Sequence, residues 1–239
     1  MVRTQNGVAM NTIHPSAVVG DGVVLGTGNV VGPHAVLYGP LVLGDGNWIG
    51  PAVVIGTPPE VRGMEHGAQW DAPPSGHGVV IGNGNVIREQ TMIHQGWKER
   101  TVVGDDCFIM NKVYIAHDTV IGDGVTLAST VTMGGHVRLG ARANLGLGTV
   151  VHQRRVVGPG AMVGMGSVVT RDVPPFAKAY GNPARVQGAN TVGMSRLGVD
   201  EATVARVHET YLRGEEVHGA PPEVLREHFA WWLAARPAS

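Results

Sequence analysis

Every sixth residue from Val103 to Val169 is aliphatic or methionine: Val103, Ile109, Ile115, Ile121, Leu127, Met133, Leu139, Leu145, Val151, Val157, Val163 and Val169. An α-helix repeats at about 3.6 residues and a half-buried strand at about 2, so neither produces a strict period of six. A chain that turns a corner every six residues and stacks on itself does, and the fold class this predicts is a left-handed parallel β-helix, all-β. Glycine follows the aliphatic position at Gly104, Gly122, Gly140, Gly146, Gly158 and Gly164, where backbone has to pass without a Cβ. The 36 glycines and the 5% aromatic content suit tight corners around a narrow core.

The same period runs earlier from Ile13 through Val19, Leu25, Val31, Leu37, Leu43 and Ile49 to Ile55. It breaks over Thr57–Gly78, a stretch rich in proline and glycine without apolar period, which reads as a long loop inside the repeat. It resumes at Ile81, Ile87 and Ile93. Ile93 to Val103 is four residues longer than one hexad, so a bulge is expected near Gln95–Arg100. Asp172-Val173-Pro174-Pro175 ends the repeat, since consecutive prolines donate nothing to a ladder, and 176–190 reads as an extended exit. Beyond it Asp200 is placed to cap a helix with Val204, Val207, Tyr211 and Leu212 on one face, closed by Gly214. Pro221 and Pro222 open a second, with Val224, Leu225, Phe229, Trp232 and Leu233 on its stripe. The expected organisation is a β-helix over 1–190 and a small α-helical domain over 191–239. The helices would cover the open end of the β-helix or dock on a neighbouring subunit.

A net charge of −1 gives no field for a polyanion, so no nucleic-acid partner is expected. One cysteine, Cys107, excludes an intrachain disulfide and a cysteine-based zinc site. With neither an apolar run of about 20 residues nor a basic-then-apolar leader, the expectation is a cytoplasmic protein with no membrane span.

Histidines fall in step with the coils. His117 and His136 are one coil plus one residue apart, and so are His94 and His117 once the four extra residues are removed; His152 follows on the next coil. His117-Asp118 supplies an imidazole with an adjacent carboxylate, a base able to take a proton near neutral pH. Gly134-Gly135, one coil on, could present N–H groups to a developing oxyanion. No serine or cysteine stands beside His117 in sequence, which disfavours a covalent acyl-enzyme.

Ile93-His94-Gln95-Gly96, Ile115-Ala116-His117-Asp118, Gly134-Gly135-His136-Val137, Val151-His152-Gln153, Asp172-Val173-Pro174-Pro175 and Gly181-Asn182-Pro183, in this order, resemble the acyl-carrier-protein-dependent UDP-N-acetylglucosamine O-acyltransferases of lipid A biosynthesis. The likeness spans about residues 11–197. It implies His117 as general base, Asp118 orienting it and the Gly135 N–H as oxyanion donor. It further implies His94, His136, His152, Gln153, Asn190 and Arg196 as substrate contacts, and a homotrimer with sites between prisms. No cofactor is implied; the acyl group, a 3-hydroxyacyl chain of medium or short length, arrives on the phosphopantetheine of acyl carrier protein. Met165 matches the position that limits acyl length in that family, where methionine goes with shorter chains.

Departures from the pattern fall on the acceptor side. Tyr114 stands where the family has a second histidine three residues before the base. Thr57-Pro58-Pro59-Glu60-Val61-Arg62 replaces a Pro-x-Gln-Asp-Leu-Lys-like motif that contacts the nucleotide sugar, so loss of its acidic contact is expected; Val192 and Leu197 also differ. Arg155 is a charge at an otherwise inward position: either it meets a phosphate, with Arg154, beside His152, or it packs its stem at the corner and carries its head out to solvent. Alternatives from other classes are a coenzyme A-dependent transferase acting on another sugar or nucleoside, a non-catalytic trimeric scaffold, and a zinc enzyme like the γ-class carbonic anhydrases. The last has histidines five residues apart, a spacing this chain lacks.

Overall fold

The structure, a computed structural model, describes residues 4–5, 8–64, 76–217, 221 and 223–236. Its body is a prism of two- to six-residue strands in three sheets of eight, seven and ten strands, all parallel except for a closing hairpin. Partner residues lie one coil of 18 apart, as in Ile109 with Leu127, Ile115 with Met133 and Ile121 with Leu139. The aliphatic residues of the repeat therefore stack into ladders pointing inward, and those from Val31 onward are almost wholly buried. The fifth position is sealed in most hexads too, as at Val113, Thr119, Val125, Val137 and Ala143, with Arg155 an exception.

Corner geometry explains two glycine populations. The glycine after the aliphatic residue is needed because the next coil passes close by: a Cβ on Gly122 would lie 2.7 Å from the Ala141 nitrogen. Two residues further on the chain adopts positive φ. Glycine fills that place at Gly124 and Gly148, but Asp106, Lys112, Asp118, His136 and Arg154 also occupy it. Polar residues are thus held at corners in a left-handed conformation that most L-residues avoid.

The two ends differ. Ile13 and Val19 carry the inward pattern but are 42% and 39% exposed, against 1% for Val31, because no described side chain stacks on the first coil. At the other end the expected extended exit is a hairpin: Ala177–Gly181 pairs in parallel with Met162–Val163, and Ala184–Ala189 returns antiparallel to it. Three helices follow, α1 (Thr191–Arg196), α2 (Glu201–Leu212) and α3 (Arg226–Ala235). Asp200 caps α2 by accepting from the Thr203 N–H at 2.9 Å, and Gly214 has φ +73° beyond its end. Val204, Val207 and Tyr211 bury one face of α2, and the Tyr211 hydroxyl donates to the Pro175 carbonyl at 2.6 Å, so α2 packs on the end of the prism.

Some sequence expectations need correction. Leu212, Val224 and Leu233 are exposed, because the buried stripes of α2 and α3 are narrower than the apolar spacing suggests; Phe229 and Trp232 carry the α3 contact. The short helix α1 went unforeseen. Pro222 and residues 65–75 of the long loop lie outside the described residues. Among the described residues, no helix is long and apolar enough to cross a membrane.

Candidate active site

His94, His117, His136 and His152 all follow strands of the eight-stranded sheet, Met92–His94, Tyr114–Ile115, Thr132–Met133 and Val150–Val151, and so share one edge of the prism. Two of them converge on Asp118. The His117 Nδ1 lies 2.7 Å from Asp118 Oδ2, and the His136 Nε2 lies 3.6 Å from the same oxygen. The imidazoles of His117 and His136 meet edge to face, with centroids 5.1 Å apart.

Asp118 is buried and held from the far side. Its Oδ1 accepts three consecutive backbone N–H groups, from Trp97 at 3.0 Å and from Lys98 and Glu99 at 2.7 Å. Burial pushes its pKa upward, but the bonds from Glu99, His117 and Lys98 and the field of His136 outweigh that and hold the carboxyl below its ordinary value. An ionised Asp118 only accepts, so the proton on His117 sits on Nδ1 and Nε2 carries the lone pair. The His136 pKa is lowered too, chiefly by burial against the opposing pull of Asp118, so its neutral form is favoured. The four extra residues between Ile93 and Val103 therefore shape the turn that grips the carboxylate.

Gly135 packs directly on the base. A Cβ there would lie 2.5 Å from His117 Cε1 and 2.6 Å from Nε2, so only glycine admits the imidazole. The Gly134 N–H is spent on the Val151 carbonyl at 3.0 Å, which corrects the expectation of two free donors. Among the described residues the Gly135 N–H makes no hydrogen bond, and it alone of the pair is available to an oxyanion. Trp97, which sequence reasoning missed, stands edge-on to His117 with centroids 6.1 Å apart; its proximity depends on the bulge, and no periodicity reveals it.

His94 belongs to a neighbouring cluster. Its Nδ1 is 3.0 Å from both Thr57 Oγ1 and the Pro58 carbonyl and 3.3 Å from Glu60 Oε2. The Tyr114 hydroxyl donates to Glu60 Oε1 at 2.6 Å, and burial followed by Glu60 raises its pKa, keeping it a donor. Glu60 thus brings a carboxylate of this loop to the edge, gripped by the tyrosine that stands where the family has a histidine.

Other expected contacts fare differently. His152 and Gln153 are exposed on the same edge. Arg155 does leave the core, but its Nη1 meets Asp172 Oδ1 at 3.3 Å, so an anion of its own chain takes the place expected for a phosphate. Asn190 is engaged as the α1 cap: it accepts from the Gly193 N–H at 3.1 Å and donates to the Gly160 carbonyl at 3.0 Å. Arg196 is exposed in the last turn of α1. Met165, 73% exposed, follows a strand of the ten-stranded sheet and stands on a different edge from His117. Cys107 is buried, with a pKa pushed up to about 11 chiefly by burial, and offers no thiolate.

His117, Asp118 and His136 also bring one ligand atom each within 4.8 Å of one another, the arrangement a cation would need, although their spacing in sequence is not that of the zinc family considered above. The 2.7 Å His117–Asp118 contact, with a proton between them, is hydrogen-bonded geometry of the kind that orients a general base.

Comparison with known proteins follows the same lines. The hexapeptide repeat of bacterial transferases matches residues 100–135, and the second domain of UDP-N-acetylglucosamine O-acyltransferase matches 172–213. The acyl-[acyl-carrier-protein]–UDP-N-acetylglucosamine O-acyltransferase of Aliivibrio fischeri is 34% identical over 156 residues, 62% of this chain and 60% of that one, so the match spans less than two thirds of that relative. Among solved structures, the UDP-N-acetylglucosamine acyltransferase of Francisella novicida is 31% identical with a TM-score of 0.69, covering 84% of this chain and 74% of that one. The enzyme of Campylobacter jejuni is 27% identical with a TM-score of 0.71, covering 93% and 94%. A prism of hexapeptide coils, a histidine–aspartate pair on its edge and a matching helical end agree with these likenesses, and the chain belongs to the UDP-N-acetylglucosamine O-acyltransferase family.

Proposed function

We propose that this protein moves a fatty acyl group from acyl carrier protein to a hydroxyl of UDP-N-acetylglucosamine or a related nucleotide sugar, acting as a cytoplasmic homotrimer. The observation that carries the reading is the His117–Asp118 pair with the Gly135 backbone against it. In the mechanism, His117 Nε2 removes the acceptor hydroxyl proton as the oxygen bonds to the thioester carbonyl carbon. Negative charge builds on the carbonyl oxygen and meets the Gly135 N–H. The C–S bond then breaks, the phosphopantetheine sulfur takes the proton back from His117, and no protein side chain is acylated. Asp118 keeps the proton on Nδ1 and stabilises the imidazolium while it lasts.

His136, His152 and Gln153 are the proposed substrate contacts along this edge, with Glu60 and Tyr114 bounding the acceptor. Met165 is on another edge, so it reaches a cleft beside His117 only from a neighbouring protomer, which supports sites between subunits of a closed trimer. The test is acylation of UDP-N-acetylglucosamine by the purified chain with a series of 3-hydroxyacyl carrier proteins, read by mass spectrometry, alongside its molar mass in solution. Transfer from acyl-coenzyme A to another sugar or nucleoside, with none from carrier protein, would replace this reading.

A further inference from the structure

The turn after His94 holds two things at once. Its outer side clamps both roots of the long loop. The Gln95 N–H donates to the Thr57 carbonyl at 2.9 Å, and its side-chain Nε2 donates to the carbonyls of Gly56 at 2.7 Å and Gly39 at 3.1 Å. At the other root, the His77 N–H donates to the Gly96 carbonyl at 2.8 Å and the Gly96 N–H to the Gly78 carbonyl at 3.2 Å. Gly76 lies so close that a Cβ on it would sit 2.4 Å from Gln95 Oε1. The inner side of the turn, Trp97 to Glu99, gives all three N–H groups that hold Asp118 Oδ1.

We propose that Gln95 is a positioning residue, and that the turn 94–99 couples the seat of the 57–78 loop to the orientation of Asp118 and hence of His117. The inference rests on the acyl-transfer reading of His117. The turn is short and closed on itself. A Cβ on Gly96 would collide with the Glu99 carbonyl, so the backbone of the outer side cannot shift without carrying the inner side along. Gln95 is fully buried, and its Oε1 has no hydrogen-bond partner among the described residues, which leaves its amide fixed through one donated bond to Gly56 at the loop root and one to Gly39 on the coil before. A displacement of the described roots, Thr57 on one side and Gly76–Gly78 on the other, is therefore passed to the grip on Asp118. The consequence follows from the bonds: fewer N–H donors to Oδ1 raise the Asp118 pKa and loosen the hold of the carboxylate on His117, so kcat falls.

The decisive variants lie at the loop roots and touch neither Asp118 nor His117. Gly76→Ala pushes on Gln95 Oε1, and Thr57→Val removes the hydroxyl beside His94 Nδ1 while keeping the side-chain shape; the second guards against misfolding of the first. Three quantities are read on each trimer: hydrogen exchange of the Trp97–Glu99 amides, the pH profile of kcat, and KM for UDP-N-acetylglucosamine. The expected result for Gly76→Ala is faster exchange at 97–99, a kcat about tenfold lower and a displaced acid limb, since small misplacements of catalytic groups cost up to about 10²-fold. Thr57→Val should move all three in the same direction by less. A rise in KM alone, with exchange at 97–99 and the pH profile unchanged in both folded variants, overturns the coupling. Exchange is read without turnover. A wild-type protein that fails to acylate the sugar therefore refutes the function, while exchange unchanged in the variants refutes the coupling separately.

Discussion

The coils from Val103 to Val169 and the stretch from Ile55 to Val103 are built from the same hexad and do different work. In the first, every coil repeats its neighbour at 18 residues and the inward ladder is unbroken. In the second, the repeat is interrupted twice, by the 57–78 loop and by the turn after His94. The regular coils supply His117, Asp118, His136 and Gly135 at corners whose spacing the ladder fixes. The interruptions supply what regularity cannot: the three amides that grip Asp118, the indole of Trp97 beside the base, and a carboxylate from Glu60. Rigid repetition sets the distance between catalytic groups, and local irregularity sets their chemistry.

The largest expected effect is at the base. His117→Ala should lower kcat by about 10²–10⁴-fold, the range for a positioned proton transfer, with the melting temperature little changed because the imidazole is a corner group outside the aliphatic ladder. A mutant turning over at the wild-type rate would place the base elsewhere.

Next, two glycines separate the two kinds of region. Gly135→Ala and Gly122→Ala each insert one methyl between coils. At Gly135 the methyl meets the His117 ring, which can swing away. At Gly122 it meets the backbone of Ala141, which cannot. Gly135→Ala should therefore cost about 10²-fold in kcat with a nearly normal melting temperature. Gly122→Ala should cost about 1–3 kcal/mol of stability, the usual penalty for overpacking, while the protein that remains folded keeps its specific activity. The reverse pattern, measured by calorimetry and initial rates, would mean that Gly135 is a structural glycine like the others.

How much of this was legible follows from the same contrast. The period of six is a constraint on every coil, so the prism, its inward ladder and the shared edge of His94, His117, His136 and His152 could be read directly. Residues placed by the interruptions could not, because nothing in their spacing says where a loop folds back. Trp97 gives no periodic signal, and Glu60 is recognised only when Tyr114 is seen holding it. The inward slot of Arg155 correctly signalled a charge needing a partner; that the partner is Asp172, across the turn closing the last coil, depends on the end of the repeat. Asn190 matched a family position by letter, yet a residue capping a helix and bonding Gly160 has its amide already committed.

A smaller effect is expected on donor choice. Met165 is exposed at a corner of the regular coils, so replacing it disturbs no core. Met165→Gly should move the preferred acyl chain to greater length with little change in rate on the best donor. Each methylene denied a buried site forfeits about 0.8 kcal/mol, so a chain two to four carbons too long should be discriminated against by at least tenfold in the wild type. Identical kcat/KM profiles across a donor series would remove Met165 from the acyl cleft without touching the site at His117.

The smallest expected effect isolates Glu60 from the loop roots at Thr57 and Gly76. Tyr114→Phe removes one hydroxyl, the donor to Glu60, and leaves Glu60 facing His94 alone. The pair is partly open to solvent, since a third of the Glu60 side chain is exposed, so water replaces much of the lost bond. Among the described residues the tyrosine hydroxyl makes its one hydrogen bond to Glu60, and none to His117 or Asp118. The loss should therefore appear as a severalfold rise in KM for the nucleotide sugar, with kcat within about twofold, because a contact made equally in ground and transition states affects binding alone. Because burial and Glu60 both keep the phenol protonated, the KM ratio between wild type and mutant should stay flat between neutral pH and pH 9. If kcat falls tenfold while KM holds, Tyr114 acts on the transition state, and its pair with Glu60 takes part in the chemistry as well as in recognition.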